Sequence, residues 1–223
     1  MTTTTRRATA LALLIAPGLL LAGHLVQHTP THHDTRSELA AIAAHQGSYQ
    51  VAALWGFLGL LLMVPALLAL ARPVWERRPR LALTGLCLSM SGLLALVSLM
   101  GSGPVSLAMV RGEAGRSTMV ALTDRYESLP LVIVWVLLLV VGWSLGPVVL
   151  GFGLWRTGYP WLVPALLVAG LVLSVLDAGR WPLALAFALT WAGMAVVGTR
   201  ELRGVRPDPD ATGVRQDPAG VAS

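Results

Sequence analysis

Four of the chain's five histidines lie within eleven positions, in the stretch HLVQHTPTHHD of residues 24–34. Imidazole nitrogens bind zinc and haem iron and transfer protons near neutral pH, so the stretch is a candidate site for either chemistry. His24 and His28 are four residues apart and would share one face of a helix, as metal-binding pairs do. Pro30 disfavours helix before it, which puts His28 in the last turn, where a histidine also complements the helix dipole. The stretch is therefore either a metal or haem site or a polar cap on a helix.

One further histidine, His45, is expected to lie beside His24. A short helix between them leads directly into the next apolar segment, so His45 should arrive at about the depth of His24. We predict His24 and His45 as the structured pair and His28 as the third candidate metal ligand, with Asp34 or Glu38 as the nearest acids. The same residues would form a polar network if no metal is bound.

The composition places these histidines in a membrane protein. The chain is 55% hydrophobic and 12% charged, whereas soluble domains carry roughly 25% charged residues. Every cationic side chain is arginine, and we attribute the net charge of +5 to segments that flank membrane spans, so we expect no nucleic-acid partner. The single cysteine, Cys87, excludes a disulfide or a cysteine-based metal cluster within one chain. Nucleotide-binding, metalloprotease and serine-hydrolase motifs are absent, so we predict no catalytic residue and no cofactor.

Six stretches are long and apolar enough to cross a bilayer, which needs about 20 residues of helix. The sequence thus predicts an all-α polytopic membrane protein in which residues 1–200 form one six-helix bundle. Only Asp177–Arg180 separates the last two spans, which should form a tight antiparallel hairpin. A disordered tail is expected over residues 201–223, which are rich in proline and charge. The expected spans are approximately 8–28, 48–71, 81–102, 131–155, 161–176 and 182–198.

Arginine placement predicts the orientation of these spans. With the N-terminus inside, eleven arginines lie on the cytoplasmic side and five outside, in agreement with the positive-inside rule. The loop RPVWERRPR of residues 72–80 is the strongest local signal. Both termini are then cytoplasmic, and every histidine falls on the outer side. The first span follows Arg6 and Arg7 as a signal peptide would, but it is long for one, and we retain it as a span.

Two segments outside the spans have patterns of their own. Residues 35–47 predict a short outer helix, in which Thr35 and Glu38 have the spacing of a capping box and Leu39, Ile42 and Ala43 form an apolar face. Residues 103–130 mix apolar patches with charges and are expected to form a lid over the outer mouth.

Small residues within the spans predict close helix packing. Gly142 and Gly146 have the GxxxG spacing, and Gly85, Ser89 and Gly92 share one face of the third span. We expect them to pack within one chain, although a homo-oligomer or another membrane protein is an open alternative. Serines and threonines in the spans are interpreted as hydrogen-bonding groups between helices.

Four short motifs resemble those of uncharacterised six-span membrane proteins from GC-rich bacteria. They are a His-Thr-Pro segment (28–30), IAAH (42–45), LLLMVPALLALAR (60–72) and GFGLWR (151–156). The resemblance covers the chain up to about Gly198. It implies a six-helix bundle in a bacterial cell membrane, with no assigned biochemistry and no catalytic residue.

Three functions remain open at this point. The first is a non-enzymatic integral membrane protein, such as an accessory or envelope component, favoured by the lack of charge inside the spans and of catalytic motifs. The second is a passive or lipid-handling transporter that uses proline-kinked helices. The third is a metal or haem protein that uses the outer histidines.

Overall fold

The computed structural model describes residues 3–27, 35–100, 107, 110, 116–176 and 180–203. Within these ranges the chain is helical apart from short turns and contains no strand, which confirms the predicted all-α class. The helices that we number are α1 (Thr3–Val26), α2 (Thr35–Ala44), α3 (Gln46–Arg77), α4 (Pro79–Met100), α5 (Arg116–Glu127), α6 (Pro130–Trp155), α7 (Leu162–Leu176) and α8 (Arg180–Arg203).

Five of these helices have the length and apolar composition needed to cross a membrane: α1, α3, α4, α6 and α8. The remaining expected span, over residues 161–176, corresponds to α7, which has 15 residues. At 1.5 Å per residue α7 is about 22 Å long, less than the ~30 Å thickness of the hydrocarbon. Such a set of helices is compatible with a protein embedded in a membrane.

The helix ends differ from the expected span limits in two places. The prediction of a loop over residues 72–80 is wrong, because α3 continues through Pro73 to Arg77 and only Arg78 separates it from α4. Proline removes one helical hydrogen bond, but Val74, just after it, is fully buried in the core, and its packing keeps this turn helical. At the other end of the chain α8 continues past Gly198 to Arg203. The tail beyond Arg203 lies outside the described residues.

Neighbouring helices run antiparallel to one another. Between neighbouring helices, residue numbers rise along one helix as they fall along the other, as in any antiparallel pair. The close contacts are Gly23 with Ala52 and Gly59 with Leu20 between α1 and α3, Gly18 with Trp191 and Gly198 with Ala10 between α1 and α8, Gly85 with Leu150 and Gly92 with Trp143 between α4 and α6, and Gly170 with Ala186 and Gly193 with Leu167 between α7 and α8.

A single apolar core joins all six long helices. Leu13, Met63, Leu150, Val163 and Met194 are each almost fully buried in it, and they come from five different helices. The outward faces are apolar as well, as at Leu131 and Leu137 of α6, which are about 60% exposed (61% and 59%). Apolar side chains on both the inner and the outer faces are what a bundle in lipid requires.

The predicted packing of small residues is confirmed between α4 and α6. Gly142 lies against Gly92, and Gly146 lies against Ser89. A Cβ atom added to Gly92 would lie 2.6 Å from the carbonyl carbon of Gly142, so the two backbones are in contact. Residues Leu139–Trp143 form a π-helical turn within α6 at this point. The close approach therefore joins helices of one chain, as expected.

Two hydroxyl groups inside the long helices do not form the expected hydrogen bonds between helices. Ser89 is fully buried and donates to the carbonyl oxygen of Gly85 at 2.8 Å, and Thr190 donates to that of Ala186 at 2.9 Å. Both acceptors lie one turn earlier in the same helix. An apolar environment offers few other acceptors, so the nearest backbone carbonyl satisfies each hydroxyl.

The short helices α2 and α5 lie together at one end of the bundle. The predicted helix over residues 35–47 is present as α2, but it ends at Ala44 and Gly47 belongs to α3. Leu39 and Ile42 of α2 are buried, whereas Ala43 is exposed. The hydroxyl of Thr35 donates to the Asp124 carboxylate of α5 at 2.7 Å. The two helices are thereby linked across 89 residues of sequence. Most of the segment expected to form a lid, before residue 116, lies outside the described residues.

Candidate functional site

The structure places His24 in the last turn of α1, half-buried against α8. Its ring lies 5.7 Å from the ring of Phe187 at an interplanar angle of 47°. The preceding residue, Gly23, faces the opposite neighbour, since a Cβ there would lie 3.0 Å from the carbonyl oxygen of Ala52 in α3. His24 is therefore held where three helices meet, and its aromatic contact comes from a helix that sequence reasoning had not considered.

Of the other two candidate histidines, the structure describes His45 but not His28. His45 occupies the turn between α2 and α3, where its amide donates to Ala41 at 3.0 Å, and its side chain is exposed. His28 lies outside the described residues, as does Asp34, and so does the side chain of Glu38. In the described part of the chain no three histidine, cysteine or acidic side chains converge as metal ligands would. The pairing of His24 with His45 and the metal hypothesis stay predictions.

At the opposite end of the bundle, arginines at or beside the ends of five helices are brought together. Antiparallel packing puts the start of α1, the junction of α3 and α4, and the ends of α6 and α8 at this end. The acidic side chains described here are Glu76, whose carboxylate lies 3.7 Å from the guanidinium of Arg72, and Glu201. The arginines with described side chains here are Arg7, Arg72, Arg77, Arg78, Arg80, Arg156, Arg200 and Arg203. We call this set the arginine-rich end.

A glycine at the end of α6 organises the chain here. Gly158 has a φ of 97°, a conformation that side chains with a Cβ rarely adopt. It allows the amide of Tyr159 to donate to Leu154 and the amide of Gly158 to donate to Trp155, both at 3.1 Å, in the Schellman pattern that ends helices. Tyr159 is then buried, and its hydroxyl donates to the Glu201 carboxylate at 2.9 Å. The end of α6 is thus tied to the end of α8.

One arginine connects the junction of α3 and α4 to the flank of α6, and a second is held against α6 itself. The guanidinium of Arg77 donates to the carbonyl oxygen of Thr157 at 2.9 Å. The guanidinium of Arg156 lies over two aromatic rings, 5.0 Å from the centre of Phe152 and 5.5 Å from that of Trp155. Both contacts restrain long side chains that would otherwise move freely in water. This end therefore presents fixed positive charge.

The sequence predicted that these arginines lie on the same side of the membrane, but it did not predict that they lie close together. The signal was present in two of the quoted motifs, since RPVWERRPR and GFGLWR both end apolar segments with arginine. The sequence did not reveal the antiparallel pairing of α4 with α6, which brings Arg80 and Arg156 to the same end of the bundle. Phe187 had no signal at all, because its contact with His24 depends on the pairing of α1 with α8.

Comparison of the chain with protein-family models, with curated proteins and with solved structures finds no match. The resemblance to six-span bacterial membrane proteins therefore stays a prediction. The described residues form a bundle with an apolar core, a histidine at one end and a group of arginines at the other.

Proposed function

We propose that this chain is a non-enzymatic, six-span integral protein of a bacterial cell membrane, with both termini in the cytoplasm, that acts as an accessory or envelope component. The observation that carries the proposal is the apolar core of the bundle. Leu150 and Met194 are almost fully buried in this core, and the buried Ser89 hydroxyl is bonded to its own helix. A catalytic or ion-coupled protein needs polar or ionisable groups in that position.

Chain length supports α7 as the sixth span. The end of α8 lies beside the start of α7, since Glu201 accepts a hydrogen bond from Tyr159. From Arg180 to Glu201, α8 rises about 31 Å, enough to cross the hydrocarbon. The chain between Tyr159 and Arg180 has to cover this same distance in the opposite direction. It does so with α7, about 22 Å long, and a link of three residues that spans at most about 14 Å. If α8 crosses the membrane, α7 has to cross it too.

The arginine-rich end supports the orientation. Eight arginine side chains at or beside the ends of five helices lie there against two described acidic ones, and cytoplasmic ends of membrane helices carry such an excess. On this proposal His24, α2 and α5 face the outside. The N-terminal half of α1 and the C-terminal part of α8 meet toward the cytoplasmic side, where Gly198 packs against Ala10.

The accessibility of introduced cysteines tests whether water enters the core. In a Cys87→Ala background, Leu150→Cys and Met194→Cys place a thiol at sites that are 0% and 1% exposed. The matched control is Gly47→Cys, at a position with no atom within 4 Å of an added Cβ. A small charged methanethiosulfonate reagent should modify the control rapidly and the two core thiols only after denaturation, because thiols react as thiolates in water.

The result also separates the remaining hypotheses. Rapid modification of Leu150→Cys and Met194→Cys in the folded protein would reveal water between the spans and contradict the proposal. It would favour a passive or lipid-handling transporter. Retention of about one equivalent of zinc or iron by the purified protein would instead favour the metal or haem hypothesis.

A further inference from the structure

A cleft of about 510 Å³ opens at the arginine-rich end, between the start of α4 and the end of α6. Its volume lies within the ~300–1,000 Å³ typical of small-molecule sites. One wall is the first turn of α4, and the other is the last turn and C-terminal flank of α6. The residues that line it are Arg78, Pro79, Arg80, Leu81, Phe152 and Arg156. We call it the arginine cleft.

The arginine cleft carries positive charge that the described protein does not neutralise. Arg78, Arg80 and Arg156 are exposed, and in the described part of the chain none of them forms an ion pair. The two described acids of this end have other partners, as Glu76 faces Arg72 and Glu201 accepts from Tyr159. Three arginines line one cleft, and arginine binds an anionic phosphate group with paired N–H donors.

The backbone adds donors to the same cleft. The amide of Ala82 donates to the carbonyl of Arg78 at 3.1 Å, so the amides of Arg80 and Leu81 precede the first helical bond of α4. Free amides at the start of a helix and the positive end of its dipole favour an anion at this position. These donors add to the three guanidinium groups rather than replace them.

Both walls are held in place before a ligand arrives. The bond from Arg77 to the Thr157 carbonyl, 2.9 Å long, fixes the end of α3 against the flank of α6. The Arg156 guanidinium is stacked on Phe152 at 5.0 Å and on Trp155 at 5.5 Å. Less side-chain ordering is therefore needed on binding than for free surface arginines.

The apolar part of the lining identifies the class of ligand. Leu81 and Phe152 form the side of the cleft toward the membrane-spanning part of the bundle, and Phe152 is 40% exposed there. A ligand with charge at one end and hydrocarbon at the other fits both halves. The geometry points to the phosphate group of an anionic phospholipid, with its head between the three arginines and its chains beside Phe152. This inference rests on the proposed function only in requiring that the bundle is embedded in lipid.

Binding can be measured on the full-length protein in detergent with dioleoyl phosphatidylglycerol as the probe. Native mass spectrometry during a lipid titration should show one phosphatidylglycerol that binds more tightly than the rest. Dioleoyl phosphatidylcholine, which has no net charge, should not fill that site. At about 5-fold in affinity for each arginine, the triple variant Arg78→Gln, Arg80→Gln, Arg156→Gln should bind about 100-fold more weakly.

A matched control removes three arginines of the same end from outside the cleft: Arg7→Gln, Arg72→Gln, Arg203→Gln. Its net charge equals that of the cleft variant, and its affinity should stay within about 3-fold of the unmodified protein. Equal losses in the two triple variants would overturn the site, because the lipid would then be responding to overall charge. If the cleft variant does not fold, Arg156→Lys takes its place, since it keeps the charge but loses the planar stack. It should weaken binding about 3- to 10-fold, and unchanged affinity would overturn the site.

A competition arm separates a lipid from free phosphate. Inorganic phosphate at 10 mM should leave the bound phosphatidylglycerol in place, whereas full displacement would assign the cleft to a soluble phosphate ligand and overturn the lipid proposal. These measurements do not depend on which end of the bundle is cytoplasmic. Failure of lipid binding would therefore leave the topology intact, and an inverted topology would leave the binding result intact.

Discussion

Because α4 and α6 are in close contact, we predict that Gly92→Ala destabilises the protein. The added Cβ would lie 2.6 Å from the carbonyl carbon of Gly142 and 2.7 Å from the Cα of Trp143. Carbon atoms rest at about 3.5–4.0 Å from one another, so the helices have to separate locally by roughly 1 Å. The obstructing atoms belong to the backbone and cannot rotate away. A shift of a whole helix is therefore the only relief.

These distances indicate the free energy of unfolding that Gly92→Ala should lose. Overpacking costs typically about 1–3 kcal/mol, and the rigid obstacle places Gly92→Ala at the upper limit. Alanine favours a helix over glycine by about 1 kcal/mol, which offsets part of the loss. We expect a net destabilisation of about 2 kcal/mol, or a fall in Tm of about 4–8 °C for a chain of this size. The matched control is Gly47→Ala, which gains the same propensity without a steric contact and should melt at or above the unmodified protein.

The assay is the fraction of monodisperse protein in detergent after heating, measured by size-exclusion chromatography with tryptophan fluorescence. Both variants are compared at equal protein and detergent concentrations. If Gly92→Ala melts within 1 °C of Gly47→Ala, the two helices do not touch at this glycine, and the account of the α4–α6 contact is wrong.

Three further substitutions test other contacts. Gly158→Ala forces a Cβ into a φ of 97° and should destabilise the protein by about 1 kcal/mol in the same melting assay; an equal Tm would refute the Schellman end of α6. Trp191→Phe removes a 2.7 Å bond to a backbone carbonyl of α1 and should cost about 1 kcal/mol, with no change if the bond is not formed. His24→Ala should lower Tm while the double variant His32→Ala, His33→Ala leaves it unchanged, and His24→Ala should abolish retained zinc or iron if a metal is bound.

Hydropathy predicted the positions of the helices because each long helix is a continuous apolar segment. It did not predict where they end. Segments rich in arginine extend α3 to Arg77 and α8 to Arg203, and arginine is a good helix former whose charge matters only to the bilayer. The contact of Arg77 with Thr157 and of Tyr159 with Glu201 also fixes these ends, and both bonds join residues far apart in sequence.

The pattern of small residues predicted a close helix contact correctly, but it did not name the partners. Gly142 and Gly146 could have faced any helix with small residues, and only the structure pairs them with Gly92 and Ser89. A π-helical turn over Leu139–Trp143 lies at that contact, and nothing in its apolar sequence distinguishes it from an ordinary helix.

For the candidate sites too, the sequence predicted which residues lie near helix ends but not which residues they contact. Residue types and spacing predicted a histidine near the end of α1 and arginines near the ends of other helices. The neighbours of each depend on helix pairing: Phe187 reaches His24 from α8, and Arg156 joins Arg80 across the arginine cleft. One-dimensional patterns carry no such information when every long helix is apolar on all sides, because each face suits lipid and protein equally well.

The central claim is a six-span topology with the arginine-rich end in the cytoplasm, and thiol labelling of intact cells tests it most directly. Single cysteines in a Cys87→Ala background would stand at exposed positions of each end: Gly47→Cys and Leu129→Cys outside, Glu76→Cys and Leu202→Cys inside. A membrane-impermeant maleimide should label the first two in intact cells and the last two only after lysis. Labelling of Leu202→Cys with Glu76→Cys protected would show that α7 does not cross, and labelling of Glu76→Cys in intact cells would contradict the orientation itself.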